Sequence, residues 1–197
     1  MTAQDFIAIA QRLVADDKGL LAMDESIATC NKRFAALGIP QTEEARRAWR
    51  ELIITTPGLS ESISGVILYD ETIRQQTKDD SPFAKAVENA QLICGIKVDI
   101  GAKELAGHPE EKITEGLDGL RDRLAEYAKM GARFAKWRAV FSMGEGIPSQ
   151  GCIQANAHAL ARYAALCQEA GLATRAKISK PMRVWTACNV MSNGSGR

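Results

Sequence analysis

The chain has 197 residues, of which 46% are hydrophobic and 25% charged, and its formal net charge is +1. This composition is typical of a globular protein with one sizeable core, and it argues against disorder. The small net charge argues against a general nucleic-acid binder, and no apolar run approaches the ~20 residues of a membrane span. The first 14 residues lack the basic and apolar segments of a secretory signal. We therefore expect neither a nucleic-acid nor a membrane partner.

Apolar runs and amphipathic segments alternate along the first 172 residues. The apolar runs predict buried strands near residues 20–24, 65–69, 93–98 and 133–139. The amphipathic segments predict helices within 1–14, around 32–37, over 117–130 and over 151–170. Two further helices are predicted from their capping residues. One has Thr42 as its N-cap and ends at residue 54, and the other has Ser81 as its N-cap and Pro82 as its first residue.

Four strand–helix units in a row predict an α/β fold with parallel strands. Either a doubly wound sheet or part of a (β/α)8 barrel fits this order. The Gly-x-Gly-x-x-Gly turn of a dinucleotide-binding sheet is missing after the first strand, and the chain contains no P-loop motif.

The last 25 residues differ from the rest. They hold five basic residues and no acidic one, and they lack a sustained helical or strand period. We therefore predict a domain over 1–172, followed by a basic and weakly ordered tail over 173–197.

The cysteines are spread widely, without the Cys-x-x-Cys spacing of a zinc or redox site. They are Cys30, Cys94, Cys152, Cys167 and Cys188. This spacing suits reduced thiols and a cytoplasmic location.

Three cations lie inside runs that should be buried, namely Lys97, Lys136 and Arg138. Side chains alternate across a strand, so Phe134, Lys136 and Arg138 share one face and Trp137 points to the other. Because unpaired buried charges are costly, these cations must either pair with acids such as Asp24 and Asp99 or line a wet cavity. Cations at the ends of adjacent strands favour an anion site, and so predict a phosphorylated substrate.

Six segments, in this order and at this spacing, resemble class I fructose-1,6-bisphosphate aldolase. They are KGLLAMDES at 18–26, TEEARR at 42–47, GVIL at 65–68, GIKVD at 95–99, GLDGL at 116–120 and FAKWR at 134–138. The resemblance covers about residues 5–172. It implies a (β/α)8 barrel that cleaves fructose 1,6-bisphosphate into dihydroxyacetone phosphate and glyceraldehyde 3-phosphate. The family does so through a lysine Schiff base, in glycolysis and gluconeogenesis, without a metal or other cofactor.

Position by position, the resemblance implies two catalytic residues. Asp24 would assist proton transfer near the reacting C–C bond, and Lys136 would stand beside the imine. The implied substrate-binding residues are Ser26, Thr29, Arg33, Arg46, Lys97 and Arg138.

After residue 172 the resemblance stops. The family continues into a fifth strand with acid and base glutamates, and its Schiff-base lysine comes later. A (β/α)8 barrel typically needs about 250 residues, so we expect a partial barrel of about four βα units. The shortened chain would then be inactive alone. The alternative function is a non-catalytic half barrel that keeps a cationic phosphate-binding face and associates with itself to cover its open edges. The segment SKPM at 179–182 is similar to the Lys-Pro motif around the family's Schiff-base lysine, which would make Lys180 an alternative nucleophile after a large internal deletion.

Overall fold

The computed structural model describes residues 2–179, and these residues form an α/β fold built on one parallel sheet. The strands are β1 (Gly19–Ala22), β2 (Ile63–Leu68), β3 (Ile93–Lys97), β4 (Gly101–Glu104), β5 (Lys112–Glu115), β6 (Phe134–Val140) and β7 (Ala173–Ser179). The helices are α1 (Ala3–Leu13), α2 (Ile27–Ala36), α3 (Glu43–Ile54), α4 (Leu59–Ser62), α5 (Asp70–Arg74), α6 (Phe83–Asn89), α7 (Leu120–Lys129) and α8 (Gln150–Glu169).

The main sheet has five parallel strands in the order β1-β2-β3-β6-β7. Helices connect successive strands of this sheet, as parallel pairing requires. The antiparallel hairpin β4-β5 is inserted between β3 and α7. Four strand–helix units followed by a fifth strand confirm the predicted half of a (β/α)8 barrel.

One face of the sheet, which we call the outer face, packs against the helices. Its side chains include Ala135 and Trp137 of β6, which are fully buried in the larger core cluster. The Trp137 ring lies 5.4 Å, centroid to centroid, from the ring of Tyr163 on α8. The prediction that Trp137 points away from Lys136 is therefore confirmed.

The opposite, inner face has an apolar end and a charged end. At the amino ends of the strands, Ile9 and Leu13 of α1 pack against Ile67, Ile93 and Phe134. Helix α1 therefore closes this end of the half barrel and leaves the carboxyl ends of the strands for polar residues.

Strand β7 corrects the predicted boundary at residue 172. Residues 173–179 pair in parallel with β6 along its whole length, from Phe134↔Ala173 to Val140↔Ser179. The Tyr163 hydroxyl donates to the Ala135 carbonyl (2.6 Å) and accepts from the Arg175 amide (3.2 Å), so α8 holds both strands. The predicted weakly ordered tail is thus wrong as far as residue 179, and residues 180–197 lie outside the described part of the chain.

Two helix starts also differ from the prediction. The N-cap of α6 is Pro82 and the helix begins at Phe83, because Ser81 instead pairs with Thr77 in the preceding turn. Helix α2 begins at Ile27, since the Ser26 hydroxyl caps it by accepting from the Thr29 amide. The Thr42 cap of α3 is confirmed.

Two further findings concern the predicted environment of the chain. Burial raises the pKa of the Cys94 and Cys167 thiols to about 12, so both are protonated and unreactive at neutral pH. No helix among residues 2–179 is both long and apolar enough to span a bilayer.

We predict that Gly95→Ala destabilises the protein by about 1–3 kcal/mol, because a Cβ there would overlap the Phe134 ring. Urea unfolding followed by circular dichroism measures this. Gly19→Ala is the matched control on the edge strand β1, since the nearest atom to its Cβ would lie at an ordinary contact distance of 3.7 Å. Equal unfolding midpoints for the two variants would contradict the tight packing of Phe134 on β3.

Candidate active site

A buried ion pair joins the first and the fourth strand of the sheet at their carboxyl ends. Lys136 of β6 donates from Nζ to Oδ2 of Asp24 at 2.5 Å, and each side chain is only 9% exposed. Asp24 follows β1 and is positioned by the Met23 amide, which donates to the Ile67 carbonyl of β2. The two catalytic residues implied by the resemblance are thus in direct contact.

A second pair lies beside the first. Lys97 is the register partner of Lys136, so both side chains leave the inner face side by side. Its amine lies 2.8 Å from Oδ1 of Asp99 and also donates to the Asp99 carbonyl. The Asp99 carboxylate accepts from the amides of Gly101 and Arg138, both at 3.1 Å. Asp99 therefore connects the β4-β5 hairpin to β6 through hydrogen bonds and neutralises the charge of Lys97.

Arg138 is the exposed cation of this group. Its Nε donates to the Ser179 hydroxyl of β7 at 2.9 Å, and no carboxylate among the described residues forms an ion pair with it. A guanidinium with free donors at the carboxyl end of parallel strands can bind the oxygens of a phosphate.

Strand β7 adds two cations to the inner face that the sequence analysis did not assign to the site. Arg175 is the register partner of Lys136, and Lys177 is the partner of Arg138. The alternation of Arg175, Lys177 and Ser179 is a period-two signal that could have revealed them. Burial, aided by Lys136, Arg138 and Arg175, lowers the pKa of Lys177, whereas Asp24 raises it.

This group, which we call the inner cluster, consists of Lys97, Lys136, Arg138, Arg175 and Lys177 with the carboxylates of Asp24 and Asp99. Five cations face two carboxylates, so the cluster carries a net positive charge. Such a site attracts anions.

The remaining predicted binding residues lie around α2. The Ser26 hydroxyl is 3.1 Å from the Thr29 hydroxyl in the cap of that helix. Arg33 is largely exposed and pairs with Glu25 at 2.5 Å. Ser26 also lines an open cavity of about 840 Å³ together with Lys97 and Asp99. Ser26 therefore connects this region to the inner cluster.

Arg46 is buried rather than presented to a ligand. It binds Glu71 with two hydrogen bonds, from Nε at 2.8 Å and from Nη2 at 2.6 Å. Its Nη1 donates to the Asn31 side chain and to the Gln41 carbonyl. Four of its five N–H donors are thus used within the protein, which makes Arg46 a brace between α3 and α5 in this arrangement.

The fold and the inner cluster define the class of protein. The strands form a parallel half barrel, and their carboxyl ends carry a buried Lys–Asp pair and free cations. In (β/α)8-barrel enzymes the active site lies at the carboxyl ends of the strands. The sequence profile of the family described as fructose-bisphosphate aldolase class-I matches residues 5–177. The chain belongs to the class I fructose-bisphosphate aldolase family.

Individual relatives agree with this assignment. The chain is 63% identical over 172 residues to a probable fructose-bisphosphate aldolase class 1 of Xanthomonas campestris, covering 87% of this chain and 52% of the relative. It is 50% identical over 170 residues to fructose-bisphosphate aldolase 6, cytosolic, of Arabidopsis thaliana, covering 86% of this chain and 48% of that protein. The chain spans about half the length of the curated relatives it matches.

A solved structure shows the same fold. The fructose-bisphosphate aldolase from Plasmodium falciparum, crystallised with TRAP and a small-molecule inhibitor, superposes with a TM-score of 0.86 at 41% identity. The match covers 90% of this chain and 52% of that one.

We predict that Lys136→Met lowers the free energy of unfolding by about 3–5 kcal/mol, because it leaves the Asp24 carboxylate buried without its partner. The double variant Lys136→Met/Asp24→Leu should recover most of this loss, since no buried charge remains. Urea unfolding of the wild type and of both variants measures these free energies of unfolding.

Lys85→Met is the control for the loss of any lysine, since Lys85 forms an exposed ion pair with Glu88. This substitution should leave the urea midpoint of unfolding unchanged. A double variant as unstable as the single one would contradict a buried charge pair.

Proposed function

We propose that this chain supplies the substrate-binding and proton-transferring half of a class I fructose-bisphosphate aldolase active site. The reaction is the reversible cleavage of fructose 1,6-bisphosphate into dihydroxyacetone phosphate and glyceraldehyde 3-phosphate, a lyase reaction of glycolysis and gluconeogenesis. The observation that carries the proposal is the contact between Lys136 and Asp24 at the carboxyl edge of the sheet.

The geometry of this contact suits proton transfer. A carboxylate held 2.5 Å from an ammonium can accept the proton of a substrate hydroxyl as the C–C bond breaks, and can return that proton to the same oxygen in the reverse reaction. A fixed ammonium also stabilises negative charge that develops on a nearby oxygen, without reorganisation of solvent. Asp24 and Lys136 therefore act as the catalytic residues of the proposal.

The phosphorylated sugar would be held by the cations at the same edge. Arg138 presents its guanidinium beside Ser179, and Lys97 lies next to Lys136. Arg33, Ser26 and Thr29 at the start of α2 are proposed as further contacts to the substrate. We leave Arg46 out of this site because Glu71 already occupies its guanidinium.

The proposal requires no metal or other cofactor, because the imine of the family chemistry serves as the electron sink.

We further propose a cytoplasmic location, which is supported by the cytosolic Arabidopsis relative, although another Arabidopsis relative is named chloroplastic. Self-association is also proposed, because β1 and β7 each have one edge unpaired by any described strand.

A second candidate function is binding of the phosphorylated sugar without cleavage. The pairing of Lys136 with Asp24 favours it, because a protonated amine in an ion pair is a poor nucleophile. This chain would then hold the ligand on its inner cluster but lack the iminium ion that C–C cleavage needs.

We predict that the 197-residue chain binds fructose 1,6-bisphosphate and that binding weakens as salt rises, because charge attraction dominates. Arg138→Ala should lower the affinity at least tenfold, since a charge-assisted hydrogen bond pair is lost. Lys136→Ala should also lower it. Isothermal titration calorimetry measures all three proteins, with Lys85→Ala as the control that keeps full affinity.

Cleavage is measured in the same preparations by coupling triose phosphate release to a dehydrogenase. Binding without turnover supports the second candidate, whereas turnover abolished by Asp24→Asn supports the aldolase half site acting alone. Equal affinity for fructose 1,6-bisphosphate in the wild type, Lys136→Ala and Arg138→Ala would contradict both candidate functions.

A further inference from the structure

The first strand of the main sheet has one edge that no strand among residues 2–179 pairs with. Alternate residues of a parallel strand direct their backbone N–H and C=O groups to opposite neighbours. The Met23 amide, just after β1, donates to the Ile67 carbonyl of β2, so the backbone of Ala22 is directed to the other side. We call this side the β1 edge.

The last strand of the sheet has a similar edge on its far side, which we call the β7 edge. The Ala173 amide donates to the Arg133 carbonyl, at the start of β6. At the other end of β7, the Ser179 carbonyl accepts from the Phe141 amide. The alternate residue Ala176 therefore directs its backbone away from β6, where no described strand meets it.

From these two edges we infer that two copies of this chain associate by pairing β7 of each copy with β1 of the other, in parallel, and so close a ten-stranded barrel around their inner faces. The inference deepens the self-association proposed above and rests on that part of the proposed function. All five strands of the sheet run in one direction, so β1 of a second copy continues the sheet beyond β7 without a change of direction.

This pairing is favoured over the other two ways of joining edges. Pairing β7 with β7, or β1 with β1, is antiparallel and leaves the second edge of each copy open. Pairing β7 with β1 twice, about a two-fold axis along the barrel, satisfies all four edges. Closed assemblies of this kind leave no strand edge to recruit further chains.

The charges of the two edge strands are complementary. Residues 17–25, which contain β1, include three acidic residues and one lysine. Residues 173–179, which form β7, include Arg175 and Lys177 and no acidic residue. Both cations lie on the inner face, as Asp24 does, so the junction places them on the same wall as Asp24 of the second copy. Opposite charges on the two edges favour the β7–β1 junction over a β7–β7 junction.

The outer layer has exposed apolar side chains beside both edges. Ile178, on the outer face of β7, is 65% exposed. The helices that follow β1 carry Leu37, Trp49 and Leu52, which are 75%, 43% and 63% exposed. Closure brings the outer face of β7 next to the helical layer of β1. Apolar surface is therefore available for burial at each junction.

The first test is the mass of the 197-residue chain in sedimentation equilibrium. We expect a dimer with twice the 21.4 kDa mass of one chain. Hydrogen exchange gives a second measurement on the unmodified protein. The amides of Ala22 and Ala176 should exchange more slowly as the protein concentration rises, because the junctions bury them. A monomer at every concentration, or a polymer larger than the dimer, overturns the inference.

Proline substitutions test which strands meet. Ala22→Pro and Ala176→Pro each remove an N–H from an open edge, at exposed positions, and leave the hydrogen bonds of the main sheet in place. Because each junction occurs twice, either variant alone should raise the dimer dissociation constant by about tenfold or more. Ala22→Ser and Ala176→Ser keep the N–H and should dimerise like the wild type. Circular dichroism checks that every variant is folded.

Mixing the two proline variants distinguishes the β7–β1 junction from its alternatives. The unaltered β7 of Ala22→Pro can pair with the unaltered β1 of Ala176→Pro, so the mixture should contain more dimer than either variant alone. Dimers lost only in Ala176→Pro indicate β7–β7 pairing, and dimers lost only in Ala22→Pro indicate β1–β1 pairing. Either result, or a mixture without recovery, overturns the inference.

Calorimetry with fructose 1,6-bisphosphate separates this inference from the proposed sugar binding. A wild-type chain that is monomeric but binds the sugar overturns barrel closure and leaves sugar binding standing. A dimer with the expected response to both proline variants that fails to bind the sugar supports closure and overturns sugar binding. Loss of both overturns both.

Discussion

The cost of burying charge governs the arrangement of this half barrel. Lys97 and Lys136 emerge from the inner face of adjacent strands, where an unpaired ammonium would cost several kcal/mol. Each is matched by an aspartate that arrives from a different segment, Asp99 just after β3 and Asp24 just after β1. The two pairs therefore fix how the ends of three strands meet.

The same constraint divides the inner face into two ends. Below the pairs, the Phe134 ring fills the space that Gly95 leaves open, and α1 covers this layer with Ile9 and Leu13. Beyond the pairs, toward the carboxyl ends of the strands, Arg138 and Lys177 are not covered by a helix and remain exposed. The apolar end gives stability, and the charged end keeps cations available for a ligand.

Part of this arrangement could be predicted from residue order alone. Strict alternation along β6 placed Phe134, Lys136 and Arg138 on one face and Trp137 on the other, because a strand has a side-chain period of two. The partners Asp24 and Asp99 followed from the need to pair buried cations. The Thr42 cap followed from its hydroxyl and the acids after it.

Other parts could not be predicted because they depend on tertiary contacts. Strand β7 has no apolar run, and six of its seven residues, all except Ala173, are at least partly exposed. Hydrophobic patterning therefore does not mark it. Its order depends on pairing with β6 and on the Tyr163 hydroxyl. The role of Arg46 depended on Glu71, which lies 25 residues away in sequence.

The central claim is that a phosphorylated sugar binds at the charged end of the inner face. A crystal structure of the chain with fructose 1,6-bisphosphate tests this most directly. We expect a phosphate in contact with the Arg138 guanidinium and the sugar carbons facing the Lys136–Asp24 pair. A ligand bound only on the outer, helix-covered face, with the inner cluster free of it, would contradict the account.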